Sequence, residues 1–397
     1  MRWLKRTCWA LALLLLLLVI AVAIYAQRSL PQTGGELGVK GLRAGVLVQR
    51  DAGDVTHIQA SDPRDAWMAM GYVHAQERGW QMEFNRRIMR GTLSEAFGPA
   101  TLDTDRLMRS LGIHAAARAQ LAGLTDEARQ ALQAYSDGVN AFYAQGKQAL
   151  SPEFQILGIN PRDDAAGGRY WEPVDSVAWS IMMALDLGGN WGNEIARLTA
   201  LQVLDTPQLW ELFPPYPGEP PAASADLARL YRELGVYRAQ PLETSGAQPD
   251  VTTFAARIGQ DLRDWTHELG NIEGKGSNNW VVAGTRSVSG QPLLANDPHL
   301  GLSAPAIWYF ARLQAPDANG LKGMDVMGAT LPGTPFVVLG RTREVAWGFT
   351  NTGPDVQDLY LEQINPANPA QYRVPAAGPE PAWADFETRT ETIRVKG

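Results

Sequence analysis

Apolar and polar positions divide the chain into a leader, a helical first half and a strand-like second half. Within residues 1–26 the cations Arg2, Lys5 and Arg6 precede an apolar run without charge. A positive start before such a run is typical of a secretory signal or a membrane anchor. The run approaches the roughly 20 residues that cross a bilayer, and Ala21–Ala23 offers a small-x-small cleavage pattern. We expect an exported protein, periplasmic or membrane-anchored facing the exterior, with cleavage of the leader left open.

The first half shows helical periodicity after an initial hairpin. Residues 44–60 alternate apolar and polar positions around a Gly-Asp turn, which predicts a β-hairpin. Asp62, which Pro63 follows, and Thr125 are the residue types that typically begin a helix, so helices are predicted to start at both positions. Residues 172–200 are rich in Met, Ala and Leu and predict further helix. The stripe that predicts a buried face of the first helix is Ala66, Ala69, Met70, Val73, Trp80, Phe84 and Ile88.

The second half changes character after about residue 204. Residues 213–223 hold five prolines, which neither a helix nor a central strand tolerates. The surrounding stretch, 205–276, carries few periodic signals and predicts a linker or surface excursion. Helices first and strands afterwards predict an α+β layered fold. The last residues, ETIRVKG, stop within a strand-like pattern, so we expect the sequence to continue beyond residue 397. Strand-like runs lie at 280–282, 292–295, 336–339 and 345–350.

Composition narrows the classes of function. The 397 residues are 45% hydrophobic and 19% charged with 13 tryptophans, which allows a large core and argues against wholesale disorder. A net charge of −7 provides no basic field to attract nucleic acid. Cys8 is the only cysteine, which excludes an intrachain disulfide, a cysteine zinc site and a CxxC redox site.

Common catalytic signatures are missing from the sequence. The five histidines form no paired metal-ligand spacing, and GxSxG, SxxK, P-loop and GxGxxG motifs are absent. A Ser-His-Asp triad built from distant positions stays open, because triads are not defined by spacing. The histidines are His57, His74, His114, His267 and His299.

The stretch GKGSNNW, residues 274–280, is the candidate for chemistry. From residue types alone it is most simply a polar loop entering a strand. A serine can also use its own α-amine as the base, provided that the chain is cut directly before Ser277. An α-amine has an ordinary pKa of about 7.7–8.0, so a useful fraction is neutral near pH 7. Gly276 suits such a cut because it has no Cβ to shield its carbonyl.

Three segments, in order along the chain, resemble the penicillin acylase family of N-terminal nucleophile hydrolases. GSNNWVVAGTRSVSGQPLLANDPHL, residues 276–300, is similar to the cleavage junction of the family. GYVHAQERGWQMEFNRR (71–87) and GTLSEAFG (91–98) resemble its α-chain, and WGFTNTGPDVQDLY (347–360) resembles its early β-chain. Together these matches cover most of residues 44–360. The pattern is closest to acyl-homoserine-lactone acylase-like and cephalosporin acylase-like members.

The resemblance implies an αββα sandwich assembled from two chains of one precursor. Residues 36–204 would form the α-chain region, 205–276 a linker that is excised or displaced, and 277–397 the first part of the β-chain. Ser277 would attack the Gly276 carbonyl, and an α/β heterodimer would result. The mature enzyme would hydrolyse the amide of an N-acylated small molecule, such as a β-lactam side chain or an N-acyl-homoserine lactone, without an organic cofactor.

The same resemblance assigns roles to further residues. The backbone N–H of Asn351 falls at the oxyanion position of the family, and a second donor, an asparagine side chain, would lie beyond residue 397. His299 occupies a position that carries histidine in the acyl-homoserine-lactone acylase-like members, although a histidine after Asp-Pro is also an ordinary turn residue. The acyl group would be flanked by Leu300, Val338 and Phe349, and Val338 is equally a core position.

A structural calcium ion is also implied by the resemblance. The α-chain ligand would be Glu194, and the β-chain ligands Asp355, the carbonyl of Gln357 and Asp358, with others beyond residue 397. Carboxylates and a carbonyl suit a hard cation that prefers oxygen ligands. Two aspartates three residues apart also occur in ordinary solvated turns.

Two other classes of function remain open at this stage. One is a non-catalytic binding or scaffold protein on the same fold, which loss of the serine or its preceding glycine would favour; both residues are present. The other is a conventional triad serine hydrolase that works with an uncut chain.

Overall fold

The computed structural model describes residues 2–188, 191–200, 203–213, 276–301, 303–351, 359–360, 362–375 and 382–397. These residues belong to two compact units. The first comprises Met1–Met183, Gly270–Thr350 and Ile393–Gly397, and the second comprises Ala184–Leu269 and Asn351–Thr392. Most of the predicted linker, from residue 214 to 275, lies outside the described residues.

Helices form the first half of the chain, as its periodicity predicted. The helix begun by Pro63 is capped by the Asp62 side chain, which accepts the N–H of Arg64, and the helix after Thr125 is capped in the same way through Ala128. In chain order the helices are α1 (Arg2–Ser29), α2 (Pro63–Arg90), α3 (Ser94–Phe97), α4 (Leu102–Leu111), α5 (Ile113–Gly123), α6 (Asp126–Gln145), α7 (Pro152–Leu157), α8 (Arg162–Ala166) and α9 (Pro173–Gly188).

Helix α1 carries the predicted leader. Lys5–Ser29 is long and apolar enough to cross a membrane, with a mean hydropathy of 2.9 and none of its apolar window buried. The end of the helix contacts the loop before α7. There the Tyr25 hydroxyl donates to the carbonyl of Leu150, and the N–H of Ala149 donates to the Arg28 carbonyl at 3.1 Å.

A six-stranded sheet occupies the first unit, in the order β1-β2-β5-β6-β7-β8. The predicted hairpin over residues 44–60 is confirmed as the antiparallel pair β1–β2, and β2 pairs with β5 in parallel. A separate two-stranded sheet, β3–β4, carries the predicted nucleophile. The strands are β1 (Leu47–Arg50), β2 (Thr56–Gln59), β3 (Gly276–Val282), β4 (Leu293–His299), β5 (Tyr309–Ala315), β6 (Met324–Thr330), β7 (Val337–Arg341) and β8 (Ala346–Trp347).

Helices α2 and α6 pack backbone against backbone through two glycines. A Cβ on Gly138 would lie 1.9 Å from the carbonyl oxygen of Met68, and one on Gly71 would lie 2.1 Å from that of Tyr135. Only glycine therefore permits this approach. The predicted apolar stripe is buried at both ends, but Trp80 and Phe84 are only half-buried. The reason is a break in helical geometry at Arg78 (φ −127°, ψ 20°) that shifts the register of α2.

A buried polar chain links α2, α6 and β6. The N–H of Gly333 donates to the Tyr135 hydroxyl, which lies 2.8 Å from His74 Nδ1. On the other side, Nε2 of His74 lies 3.2 Å from the Thr330 hydroxyl, which donates to the Tyr309 carbonyl. Every group has a partner only if His74 is neutral with its proton on Nε2. Burial acts in the same direction and lowers the pKa of His74 to about 3.

The second unit contains a short helical region and a small sheet. Helices α10 (Trp191–Ala200) and α11 (Thr206–Leu212) follow α9, whose last residues belong to this unit, so the helix predicted over 172–200 is confirmed as α9 and α10. A capping box between Asp205 and Gln208 begins α11, inside the stretch predicted as linker. The antiparallel strands are β9 (Ile364–Asn365), β10 (Asn368–Val374) and β11 (Ala382–Asp385).

Candidate functional site

Ser277 is the second residue of β3 and is half-buried. In the β3–β4 register Gly276 lies opposite His299, and Ser277 lies opposite Pro298. Pro298 has no N–H to donate. The carbonyl of Ser277 instead accepts a hydrogen bond from the Thr350 hydroxyl at 2.9 Å. The predicted scissile bond therefore lies at the open end of a hairpin, held from a second segment of the first unit.

That second segment, Trp347–Thr350, begins at the last residue of the short strand β8. The indole N–H of Trp347 donates to the Val338 carbonyl at 2.8 Å, which holds β8 against β7. Beyond Trp347 the expected strand over 345–350 does not continue in the ladder. The Asn296 side chain takes the place of a strand partner: its Oδ1 accepts the N–H of Phe349 at 3.1 Å, and its Nδ2 donates to the Phe349 carbonyl at 2.8 Å.

His299 lies at the end of β4, and its ring Nε2 is hydrogen-bonded to the Asp297 carboxylate at 2.9 Å. Both side chains are exposed, at 45% and 74%. The backbone register brings His299 beside Gly276. In the part of the chain that the structure describes, the ring forms no hydrogen bond with the Ser277 hydroxyl. The role of His299 toward the nucleophile stays a prediction.

The residues predicted to flank the acyl group differ in exposure. Val338 and Leu300 are half-buried, whereas Phe349 is 60% exposed. A cavity of about 520 Å³ in the first unit is lined by other residues, among them Trp80, Trp308 and Tyr309, and by none of these three. The acyl pocket stays a prediction.

Asn351, the predicted oxyanion donor, is the first residue of the second unit in this part of the chain. Its side-chain Nδ2 donates to the Leu187 carbonyl at 2.8 Å. The catalytic role of its backbone N–H stays a prediction. Asn351 follows Thr350 directly, so its backbone N–H lies in the same peptide plane as the Thr350 carbonyl.

Of the four predicted calcium ligands, Glu194 lies within the part of the chain that the structure describes. Its Oε2 accepts the N–H of Leu359 at 2.6 Å within the second unit, so the carboxylate lies beside the chain that follows the predicted β-chain ligands. Those ligands, Asp355, Gln357 and Asp358, lie outside the described residues. Within the described ranges no group of three or more His, Cys, Asp or Glu side chains is arranged to hold a metal ion. An oxygen donor at Glu194 fits a hard cation.

Asn296 and Thr350 are the polar residues at this site that sequence reasoning missed. Asn296 follows the apolar residues Leu293–Ala295 of β4. An amide within such a strand, which must find hydrogen-bond partners where it is partly buried, was the available signal.

Comparisons with known proteins find similar sequences over most of the chain. The family model described as "Penicillin amidase" matches residues 45–397. The chain is 32% identical over 370 residues to the acyl-homoserine lactone acylase QuiP of Pseudomonas aeruginosa, covering 93% of this chain and 40% of that protein. It is 35% identical over 344 residues to the penicillin acylase 2 proenzyme of Pseudomonas sp. (strain SE83), covering 85% and 40%.

Among solved structures, a thermostable penicillin G acylase from Alcaligenes faecalis aligns with 24% identity and a TM-score of 0.34, over 52% of this chain and 98% of that chain. The chain spans about 40% of the length of the curated relatives given above. The family-model match confirms the α+β, N-terminal nucleophile hydrolase fold class that the resemblance implied.

Proposed function

Because the chain belongs to the penicillin amidase family, we propose that it is part of a self-processing amidohydrolase acting on N-acylated small molecules. The observation that carries the proposal is the position of Gly276-Ser277. The pair begins a strand at the open end of a hairpin, opposite Pro298-His299, with the Ser277 carbonyl held by Thr350.

The proposed processing takes place between the serine and the peptide bond that precedes it. Ser277 Oγ attacks the Gly276 carbonyl carbon, the C–N bond breaks, and the acyl group moves from the amide nitrogen to the serine oxygen. Water then hydrolyses the ester, which leaves a carboxylate on Gly276 and a free α-amine on Ser277. The cut exposes a nucleophile and a base on one residue.

In turnover the α-amine of Ser277 accepts the hydroxyl proton, directly or through a water molecule. Oγ attacks the substrate amide carbon, the tetrahedral intermediate expels the amine with a proton, and water releases the acid from the acyl-enzyme. Stabilisation of the oxyanion makes the largest contribution to the rate. Removal of one well-placed hydrogen-bond donor lowers kcat by a factor of about 10²–10³. We assign one such donor to the backbone N–H of Asn351.

The substrate is an amide whose acyl part is apolar. Two relatives are named acyl-homoserine lactone acylase and penicillin acylase, and His299 favours the former group of members. We therefore propose N-acyl-homoserine lactones or other long-chain amides as substrates, with Leu300, Val338 and Phe349 beside the acyl chain.

A structural calcium ion completes the proposal for the site. Glu194, Asp355, Gln357 and Asp358 would hold it, and its chemistry is to join two segments of chain through oxygen ligands. The proposal is supported by the carboxylate of Glu194, which accepts a hydrogen bond from the backbone N–H of Leu359, the residue after Asp358.

We propose export, with α1 kept as an anchor. Three hydrogen bonds, from Tyr25, Ala149 and Gln148, join the end of α1 to the loop before α7. A cleaved signal peptide needs no such contacts with the mature protein. An α-chain in the membrane fraction that retains residues 1–29 would support the anchor, and a soluble α-chain that begins after Ala23 would contradict it.

A panel of amides with acyl chains of increasing length tests the activity. Full-length processed protein and its Ser277→Ala variant are incubated with each amide, and the released free acid is quantified. We expect release by the wild type alone. Absence of release from every amide would favour a scaffold protein, and equal release by Ser277→Ala would favour a hydrolase with another nucleophile.

A further inference from the structure

The Asn296 side chain makes three hydrogen bonds, two that join the nucleophile hairpin to the segment after β8 and one between the two strands of the hairpin. Oδ1 accepts the N–H of Phe349, and Nδ2 donates both to the carbonyl of Phe349, at 2.8 Å, and to that of Asn278, at 3.1 Å. Asn278 follows Ser277 directly. One carboxamide thus contacts the backbone of the nucleophile strand and of residue 349 at the same time.

A carboxamide is suited to this task because it carries a donor and an acceptor side by side. Both backbone groups of Phe349 are satisfied by it, as they would be by a neighbouring strand. Aspartate has the same shape but no donor, so its oxygen would face two carbonyl oxygens. Leucine has a similar shape and neither donor nor acceptor.

Gly348 makes room for this contact. A Cβ at residue 348 would lie 2.7 Å from Oδ1 of Asn296 and 2.9 Å from its Cβ and Cγ. Any side chain at 348 would therefore displace the amide from Phe349. The close approach depends on both residues.

Thr350 provides a second, independent connection between the same two segments. Its hydroxyl donates to the carbonyl of Ser277 at 2.9 Å. The Ser277 carbonyl is thus bonded to the segment 348–350 directly, and the Asn278 carbonyl is connected to it through the Asn296 side chain. The next residue along the chain, Asn351, shares a peptide plane with Thr350.

We infer that Asn296 and Thr350 are positioning residues, which fix the Phe349–Thr350 backbone on the nucleophile strand and so set where the Asn351 N–H is presented to the reaction. The inference rests on the proposed function, because it assumes that Ser277 attacks and that the Asn351 N–H stabilises charge. Neither side chain exchanges a proton or touches the substrate. Their effect is on the chemical step, because misplacement by about 1 Å can cost on the order of 10² in rate.

Substitution of Asn296 is the first test, in the full-length protein. For processed Asn296→Asp we expect kcat to fall by about 10² while KM changes less than about threefold, as in loss of an interaction made in the transition state. Gly348→Ala reaches the same contact from the other side and should lower kcat in the same way. Asn160→Asp, on an exposed loop, is the matched control, since its oxygen accepts the N–H of Arg162 in either form.

Two conservative substitutions of Thr350 provide the second test. Thr350→Val keeps the shape and removes the hydroxyl, so kcat should fall by about tenfold, the scale of one hydrogen bond. Thr350→Ser restores the donor and should recover kcat. A merely structural role would instead follow the loss of the methyl group, and the serine variant would then be the weaker enzyme.

The outcomes separate the inference from the proposed function. If wild type is neither cut nor active, the proposed function fails. If wild type is cut and active while Asn296→Asp and Thr350→Val keep its kcat, or lose activity only through KM or thermal stability, the positioning role is overturned. Lowered kcat in Asn296→Asp, Gly348→Ala and Thr350→Val, with recovery in Thr350→Ser and wild-type values in Asn160→Asp, supports it.

Discussion

Gly276 and His299 face each other across the β3–β4 hairpin, at the end where the strands are open. A cut after Gly276 would therefore remove only the first residue of β3. The pairs from Ser277–Pro298 to Val282–Leu293 lie on the retained side of the cut. Maturation on this account needs no rearrangement of the hairpin, and the new amine stays beside the residues that position Ser277.

Ser277→Cys should separate processing from turnover. A thiol can still attack the Gly276 carbonyl, so we expect mass spectrometry to find the cut chain. The α-amine is positioned to accept a proton from an oxygen, and the longer C–S bond moves the thiol away from that position. Turnover of the amide substrate should therefore fall by about 10²-fold, the lower end of the range for loss of general-base catalysis. A cysteine variant with wild-type kcat would contradict the role given to the amine.

His74 should make stability depend on pH. Its pKa is about 3 when folded and about 6.5 when unfolded. Above pH 6.5 neither state binds the proton; between 6.5 and 3 only the unfolded state does, so stability is lost as pH falls. The free energy of unfolding should drop by up to about 1.4 kcal/mol per pH unit in that window.

The measurement is denaturant unfolding of the uncut Ser277→Ala protein between pH 7 and 4.5, with and without His74→Gln. The glutamine variant should be less stable at pH 7 and should show a shallower slope as the pH is lowered. An unchanged slope would show that the pH dependence does not come from His74.

Gly138→Ala should destabilise the first unit. The added methyl would lie 1.9 Å from the carbonyl oxygen of Met68, so α2 and α6 must separate. Overpacking of this kind costs about 1–3 kcal/mol. The matched control is Gly123→Ala in α5, where a Cβ meets nothing within 4 Å, and which should be neutral or stabilising by up to about 1 kcal/mol. Equal effects of the two substitutions on unfolding would contradict the helix contact.

Calcium removal should lower the stability of the processed protein. A chelator removes the ion from the folded state, and an ion present at about 100 times its Kd contributes about 2.7 kcal/mol. Glu194→Gln should weaken this response of the melting temperature, whereas Glu387→Gln, exposed in the same unit and outside the predicted linker, should keep it. A wild-type melting temperature that changes neither with chelator nor with added calcium would contradict the proposed site.

The sequence predicted elements whose signals are local. The β1–β2 hairpin, the caps at Asp62 and Thr125 and the strands at 280–282 and 292–295 follow from turn, cap and apolar patterns, and each is confirmed. The break of α2 at Arg78 was missed, because the helical stripe continues through it in sequence.

Features that depend on distant partners were also missed. Glu83 is fully buried because Arg86, Arg87 and the Tyr170 hydroxyl surround its carboxylate, and Tyr170 lies 87 residues away. Asn296 likewise finds Phe349 at a separation of 53 residues. Single-sequence patterns carry no information about such pairs. The prediction of Gly276 and Ser277 as the cleavage site rests on the family resemblance and does not need them.

The central claim is that Ser277 becomes an amino terminus. Intact mass and amino-terminal sequencing of the purified, active full-length protein test it directly. The account predicts a polypeptide that begins Ser277-Asn278-Asn279-Trp280, and a single uncut polypeptide without activity for Ser277→Ala. Activity in a preparation that contains only the uncut chain would contradict it.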